Sequence, residues 1–330
     1  MPAIALDAAA LETLVAAAVA APSIHNSQPW HFRLRPETST LEVRAVAERT
    51  LPRTDPRGQA LHISVGAAVF NIQVAARHLG WAPEVRLLPD PAEPDLLAAV
   101  ELDRPALAVL PSTAELYGAI WHRHTVRRPF TGPPVPAAVL ADLVAAARAE
   151  ETVLDIPGPQ EVQRLLQLTA EAERSNTTDP GRRAESRAWI QPPGGPPYGI
   201  PRSALGPQDA AGHLPVRDFS AIDPAEHRAP AAFEAHPCIA VLSTERDDPA
   251  DWLRAGLALQ HVLLVATVHQ VRASMLHQAV EWPELRWEMR DPSHGPGCVQ
   301  MILRLGYGPE GAPTPRLPVT DSIDRNDEAE

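Results

Sequence analysis

The order of apolar and polar positions predicts helices and strands that alternate along the chain. An Ala-rich apolar stretch predicts a helix at 7–21, and alternating apolar and polar residues predict strands at 32–34 and 41–46. A long apolar helix is expected from Leu61 to Gly80, because basic residues and then a glycine mark its carboxyl end. The first third of the chain therefore has the pattern of an α+β fold.

The same kinds of element recur in the rest of the chain. Helices are predicted at 94–102, 112–121, 137–149, 161–173 and 252–271, and strands at 85–88, 153–156, 238–242 and 299–305. When Gly66 is placed on Gly256, the two long apolar helices align, with Val69 over Leu259. We therefore predict two fused halves, 1–111 and 112–330, that pack as an intramolecular pseudo-dimer within a monomer. Two unrelated apolar helices that share aliphatic residues are the alternative to a repeat.

Residues 175–219 differ from the rest because proline and glycine are dense, above all from Gln191 to Gly199. Long irregular segments in compact domains are usually lids, binding loops or disordered insertions. We interpret this segment as a lid-like insertion within the second half. Its place over any binding site is not determined by proline and glycine content.

The charge balance limits the partners. Lys+Arg 29 against Asp+Glu 41 gives a formal net charge of −12, which opposes nucleic acids and anionic membrane surfaces. The apolar runs look too short to span a bilayer, and the Ala-rich start lacks a basic region typical of a signal peptide. We expect a cytoplasmic protein with a small-molecule partner. The chain contains no lysine, so arginine, backbone N–H groups and hydroxyls must hold any phosphate.

A first candidate site is the stretch from Ala21 to Phe32, Ala-Pro-Ser-Ile-His-Asn-Ser-Gln-Pro-Trp-His-Phe. Pro22 ends the first helix, and the amides of Asn26 and Gln28 offer both donors and acceptors. Trp30 adds a flat apolar face. Such a turn suits a flat heterocycle with polar edges, although an ordinary helix-to-strand turn with a buried tryptophan has the same composition.

A second candidate site is Arg123-His-Thr-Val-Arg127. Two guanidinium groups, an imidazole and a hydroxyl can converge on a dianion, and we expect a helix N-terminus beside them. A solvated basic helix end before a proline is the alternative. Zinc binding by His122 and His124 is excluded because positions i and i+2 do not share a helix face and no further ligands are near.

Both motifs resemble the FMN-dependent nitroreductase family. The string Pro-Ser-x-x-Asn-x-Gln-Pro-Trp-x-Phe is similar to the turn that wraps the flavin in that family, and Arg123 to Arg127 resembles the segment that clamps the FMN phosphate and ribityl chain. The fused form and the ending Leu303-Arg-Leu-Gly-Tyr-Gly308 most resemble the Acg-like branch. The resemblance implies a nitroreductase-like α+β fold with FMN as cofactor. Ile24 departs from the family, which usually has a hydroxyl residue or glycine there.

The resemblance also implies which residues bind the cofactor. Arg127 would approach the pyrimidine edge of the flavin, Arg316 would reach the phosphate, and the backbone at Ser274 and Met275 would line the ring. The full set of implied FMN-binding residues is Pro22, Ser23, Ile24, Asn26, Gln28, Arg123, His124, Thr125, Arg127, Ser274, Met275 and Arg316. Each motif occurs once, in opposite halves, so one complete site per chain is expected.

The implied function is that of an FMN-binding oxidoreductase. A hydride would pass from NAD(P)H to flavin N5 and then to a small organic acceptor such as a nitroaromatic or a quinone. No side chain need act as acid or base in this scheme. The alternative is a stress-related FMN-holding protein whose 175–219 segment covers the flavin, with Trp189, Tyr198 and Phe219 as candidate stacking residues.

Overall fold

The computed structural model describes residues 6–106, 111–192, 194–219, 228–290 and 297–324. Its helices are α1 (Ala8–Val19), α2 (Gln59–His78), α3 (Pro111–His122), α4 (Ala137–Ala149), α5 (Pro159–Thr178), α6 (Pro180–Ala188), α7 (Pro249–Val268) and α8 (Pro283–Glu288). Its strands are β1 (Trp30–Arg35), β2 (Thr40–Ala45), β3 (Glu84–Leu87), β4 (Leu96–Glu101), β5 (Val153–Asp155), β6 (Ile190–Gln191), β7 (Ile200–Pro201), β8 (Gln208–Asp209), β9 (Pro230–Ala231), β10 (Cys238–Thr244), β11 (Arg272–Met275) and β12 (Cys298–Gly306). The mixed helix and sheet content confirms the α+β prediction.

Two four-stranded antiparallel sheets share one topology. In the first sheet the order is β1-β2-β4-β3, and in the second, taken in the same direction, it is β5-β10-β12-β11. In both sheets the strand that is fourth in the chain lies between the second and the third. A long helix, α2 or α7, follows the second strand each time. The two sheets therefore have the same strand order and the same position of a long helix.

The helices α2 and α7 pack closely against each other and link the two sheets. A Cβ on Gly66 would lie 2.1 Å from the carbonyl oxygen of Leu253, and a Cβ on Gly256 would lie 2.2 Å from that of Ile63. These two contacts are related by the alignment that places Gly66 on Gly256, because Ile63 then falls on Leu253. Such exchanged contacts are typical of an interface with a two-fold axis.

A second pair of contacts between α2 and α7 has the same reciprocity. The side chain of Gln260 donates a hydrogen bond of 2.7 Å to Asn71 Oδ1, and the rings of Phe70 and His261 stack with centroids 4.6 Å apart. In the alignment, Phe70 corresponds to Gln260 and Asn71 to His261. The boundary at 111/112 adjoins residues 107–110, which lie outside the described ranges, so the domain limits and the monomeric state stay predictions.

Helix α2 corrects one expectation about membranes. It is long and apolar enough to cross a bilayer by length and composition, so the prediction that every apolar run is too short is wrong. In this fold, 89% of its most apolar window is buried inside the protein. The helix packs against α1, α3 and α7 as a core element.

The helix predicted at 94–102 is wrong, because this stretch forms the strand β4. Five of its six residues, from Leu96 to Val100, are buried, and the strand pairs with β2 on one side and β3 on the other. A strand buried on both faces has a continuous apolar sequence, which periodicity alone does not distinguish from a short buried helix. Pairing with β2 and β3 therefore determines that this stretch is a strand.

Candidate functional site

The turn after α1 has a strained backbone. Three of its residues other than glycine, His25, Asn26 and Gln28, have positive φ angles of 49°, 53° and 50°. Left-handed conformations cost free energy in such residues and persist where the surroundings enforce them, often at binding sites. The Gln28 N–H donates to Ser23 Oγ at 2.9 Å, which holds the turn together. The turn therefore has a specific conformation that its surroundings stabilise.

The segment Arg123 to Arg127 follows α3 and lies along the edge of the second sheet. The Val126 N–H donates to the Ala273 carbonyl oxygen at 2.9 Å, and Thr125 bridges to Ala273 in parallel. The segment lies at the carboxyl end of α3, so this helix does not supply the N-terminus that was expected beside it. Positive charge in this segment comes from the side chains and not from a helix dipole.

The two motifs meet at a pair of adjoining cavities. One, of about 50 Å³, is lined by Arg123, Arg127 and Arg316, and we call it the arginine cavity. The other, of about 80 Å³, contains His25 and His277, and we call it the histidine cavity. The cavities share four lining residues: Pro22, Ser23, Arg127 and Met275. The turn after α1 and the Arg123 segment thus line two adjoining cavities.

The arginine cavity holds buried positive charge without a carboxylate partner in the described part of the chain. Arg123 is 5% exposed, and its Nε has no hydrogen-bond partner there. Burial lowers the pKa of Arg123 to about 9, with the charge of Arg316 adding to the effect. Burial likewise lowers the pKa values of Arg127 and Arg316 to about 10. Unpaired buried cations are costly, so an anion in this cavity would stabilise all three.

Arg316 links the arginine cavity to the turn after α1. Its Nη1 donates to Asn26 Oδ1 at 2.8 Å, and its Nη2 donates to the carbonyl oxygen of Ala21 at 3.2 Å. Beside it, burial and then the charge of Arg123 lower the pKa of His124 to about 4. His124 is therefore neutral at pH 7 and can act as a hydrogen-bond donor or acceptor.

In the histidine cavity, a buried carboxylate organises its neighbours. The side chain of Glu281 is 1% exposed and forms ion pairs with Arg182 and Arg217, the pair with Arg182 at 3.4 Å. Burial alone would raise the pKa of Glu281, but the charge of Arg217 and a hydrogen bond from His277 outweigh it and lower this pKa to about 2. Burial, followed by the charge of Arg217, lowers the pKa of His25 to about 3. Glu281 is thus charged and His25 neutral near pH 7.

Relatives with similar sequences fall into one family. A Mycobacterium tuberculosis protein named "Putative NAD(P)H nitroreductase Rv3131" is 31% identical over 325 residues, which cover 96% of this chain and 92% of the relative. The chain belongs to the nitroreductase family. In its Acg-like branch, the M. tuberculosis protein named "Putative NAD(P)H nitroreductase acg" is 28% identical over 94% of each chain. The predicted nitroreductase-like class of oxidoreductase is confirmed at the level of the family.

Other comparisons add less. No protein-family model matches the sequence. A solved nitroreductase with bound FMN from Bacteroides fragilis is 15% identical to this nitroreductase-family chain, with a TM-score of 0.37, over 66% of this chain and 97% of the other.

Most of the residues predicted to bind FMN lie at the two cavities. Those that line one or both are Pro22, Ser23, Ile24, Asn26, Arg123, His124, Thr125, Arg127, Met275 and Arg316. Gln28 and Ser274 line neither. Gln28 donates from Nε2 to the Pro197 carbonyl oxygen and accepts from the Leu317 N–H, both at 2.9 Å. Ser274 is buried in β11 opposite Arg304.

The described residues of the 175–219 insertion are folded and contact the site. It contains α6 and short paired strands, and its Ile200 and Phe219 line the arginine and histidine cavities respectively. The backbone of Gly199 exchanges hydrogen bonds with Asn26, at 3.0 Å from its N–H and 2.9 Å to its oxygen. Arg127 Nη1 donates to the Ala204 carbonyl oxygen at 2.9 Å. The insertion is thus docked on both motifs.

Of the three aromatic residues expected to stack on the cofactor, Phe219 alone lines a described cavity, where its ring meets that of His25 at 5.5 Å. The rings of Trp189 and Tyr198 contact each other at 6.0 Å.

Sequence reasoning missed the polar residues of the histidine cavity. No role was predicted for His25, His277, Arg217 or Glu281, all of which line this cavity. The position of His25 inside the first motif was a usable signal. Arg217 and Glu281 carried none, because they come from segments 64 residues apart that only the fold brings together.

Proposed function

We propose that this chain is an FMN-binding oxidoreductase of the nitroreductase type, with one FMN site built from both halves. The observation that carries the proposal is the arginine cavity, where Arg123, Arg127 and Arg316 converge without a carboxylate partner among the described residues. Arginine forks fit a phosphate well, and the chain has no lysine to take their place. The donor set therefore fits the phosphate end of FMN.

The remaining predicted residues fit the rest of such a cofactor. Asn26 lines the arginine cavity, and hydrogen bonds with Arg316 and with Gly199 of the insertion hold its amide in a fixed orientation. Arg127 lines both cavities, so its positive charge is placed to favour an anionic ring edge. Met275 lines both as well and offers an apolar surface.

Bound FMN would supply hydride transfer from NAD(P)H to a small organic acceptor such as a nitroaromatic or a quinone. The chain would supply the binding, the orientation and the exclusion of water.

A second candidate is an FMN-holding protein without nicotinamide-dependent turnover. The docked insertion favours it, because Arg127, Asn26 and Gln28 all form hydrogen bonds with residues of the 175–219 segment. A segment held by so many contacts would limit access to the ring. The two candidates share the cofactor and differ in whether nicotinamide reaches it.

One experiment separates the candidates. We expect purified protein, reconstituted with FMN and desalted, to retain close to one FMN per chain, and the flavin absorbance to bleach on anaerobic mixing with NADPH or NADH. Loss of all FMN on desalting, or a content of two, would refute the single site. Retained colour after mixing would favour the FMN-holding candidate, and dithionite would then verify that the flavin can be reduced at all.

A further inference from the structure

The histidine cavity contains a pair of residues whose geometry is typical of proton transfer. The ring nitrogen Nδ1 of His277 lies 3.1 Å from Glu281 Oε1, and the other ring nitrogen, Nε2, is buried without a hydrogen-bond partner among the described residues. Both side chains line the cavity. One nitrogen is thus occupied by a carboxylate and the other is left for a ligand.

The carboxylate determines which nitrogen carries the fixed proton. Glu281 is ionised and can only accept hydrogen bonds, so Nδ1 of His277 must be the donor. With its Nδ1 proton fixed in this way, the ring carries a proton on Nε2 only as the imidazolium. A histidine held by a carboxylate in this way is preset to deliver a proton from Nε2.

The surroundings of His277 include charges of both signs from several elements. The titratable and charged groups around the pair of His277 and Glu281 are Arg217, Arg182, His25, Asp55 and Glu173. Asp55 and Glu173 are buried carboxyl groups, and burial raises the pKa of each. Arg182 and Arg217 offset the charge of Glu281 and hold it in place. The pair is therefore embedded in a network that fixes its geometry.

We propose that His277 is the catalytic acid for the acceptor and that Glu281 is the residue that positions it. The inference rests on the proposed function. In quinone reduction, the acceptor gains a hydride derived from NAD(P)H and a proton. The proton comes from His277, whose Nε2–H bond breaks as an O–H bond forms, and the product is the hydroquinone. The neutral imidazole keeps its proton on Nδ1, where it donates a hydrogen bond to Glu281, and Nε2 takes up a new proton from solvent.

The test measures the acceptor step apart from the nicotinamide step. FMN-loaded protein is reduced with dithionite and mixed anaerobically with 1,4-benzoquinone, and flavin absorbance reports reoxidation. We expect His277→Gln to slow reoxidation about 10²-fold and to abolish its solvent deuterium isotope effect, because general acids typically contribute that much. Reduction by NADPH should not change.

The matched control is His261→Gln. His261 also pairs through Nδ1 with a glutamate, Glu150 at 3.0 Å, but it lies outside the histidine cavity. Its substitution should leave reoxidation at the wild-type rate. A separate readout needs no cofactor: nitrogen NMR of the labelled apoprotein should show His277 protonated at Nδ1, and loss of that signature in Glu281→Gln would support positioning.

The outcomes are distinguishable. Equal reoxidation rates in wild type and His277→Gln, or a neutral His277 protonated at Nε2, would overturn the inference while the proposed function stands. If NADPH does not bleach the flavin but dithionite does, the nicotinamide step is refuted. If His277→Gln is then still slow to be reoxidised by benzoquinone, the inference is supported. Absence of FMN binding would overturn both.

Discussion

Replacing Gly256 by alanine should force the helices α2 and α7 apart and destabilise the fold. The new Cβ would lie 2.2 Å from the Ile63 carbonyl oxygen and 2.8 Å from the Gly66 Cα, whereas ordinary contacts begin at 3.4 Å. Both obstacles are backbone atoms, so no side-chain rotation relieves them. The helices α2 and α7 would have to move apart by about 1 Å, a gap that forfeits a quarter to a half of each dispersion contact across it.

The expected cost follows from this separation. Overpacking a close-packed interior typically costs about 1–3 kcal/mol, and a backbone clash should reach the upper part of that range. The shift would also stretch the buried hydrogen bond between Gln260 and Asn71, which is 2.7 Å long. We therefore expect a lower free energy of unfolding for Gly256→Ala, measured by urea denaturation with circular dichroism. Gly66→Ala should behave alike because its contacts are the reciprocal ones.

Gly118→Ala is the matched control. Gly118 is also inside a helix, α3, but a Cβ there would meet nothing within 4 Å. The helix propensity of alanine should then leave stability unchanged or raise it by about 0.5–1 kcal/mol. If Gly256→Ala unfolds at the same urea concentration as the wild type, or no earlier than Gly118→Ala, the close helix crossing is refuted. A double variant of Gly66 and Gly256 should cost less than the sum, since one separation serves both.

Two further substitutions test the site. Arg123→Ala should raise the dissociation constant of FMN about tenfold or more in a fluorescence titration, because a charged hydrogen bond is lost. Arg183→Ala is the control, because Arg183 on α6 lines neither cavity, and it should leave the dissociation constant unchanged. Equal effects of the two substitutions would show that Arg123 does not bind the phosphate. The second is His25→Asn, which keeps a residue that tolerates positive φ. Burial lowers the pKa of His25 to about 3, from the usual value near 6.5. Between these two pH values the unfolded chain binds a proton at His25 and the native state does not, so the free energy of unfolding falls as the pH drops from about 6.5 towards 3. Urea midpoints measured across this range should fall less steeply for His25→Asn, and an unchanged slope would contradict the assignment.

The elements with strong local signals were predictable from sequence. The helix α4 has the predicted bounds 137–149, and the paired helices α2 and α7 start and end 190 residues apart, the offset that the alignment used. Their apolar composition indicates burial, and the aligned glycines lie where the two helices cross closely. The strand β4 was not predictable, because an Ala-rich buried run fits either state and its neighbours β2 and β3 decided it.

The candidate site was predictable only where one segment carries several functional residues. The turn after α1 and the Arg123 segment are each contiguous, so their chemistry is visible in the sequence. The pairing of Glu281 with Arg182 and Arg217 joins segments separated by up to 99 residues, and neither an isolated glutamate nor an isolated arginine signals burial. The docking of the insertion was equally hidden, since backbone groups such as those of Gly199 and Ala204 form its contacts.

The lengths of two connections bear on the proposal of one FMN site per chain. Ten residues, 20–29, separate α1 from β1, and they form the turn that resembles a flavin-binding turn. The corresponding connection in the second half, between α4 and β5, has only residues 150–152, and it carries Glu150 and Glu151. Three residues cannot wrap a ligand ring, and two carboxylates oppose a phosphate. The connection between α4 and β5 thus has no counterpart of the turn after α1, which agrees with the proposed single FMN per chain. We predict that building a second site would require a longer, uncharged connection at 150–152.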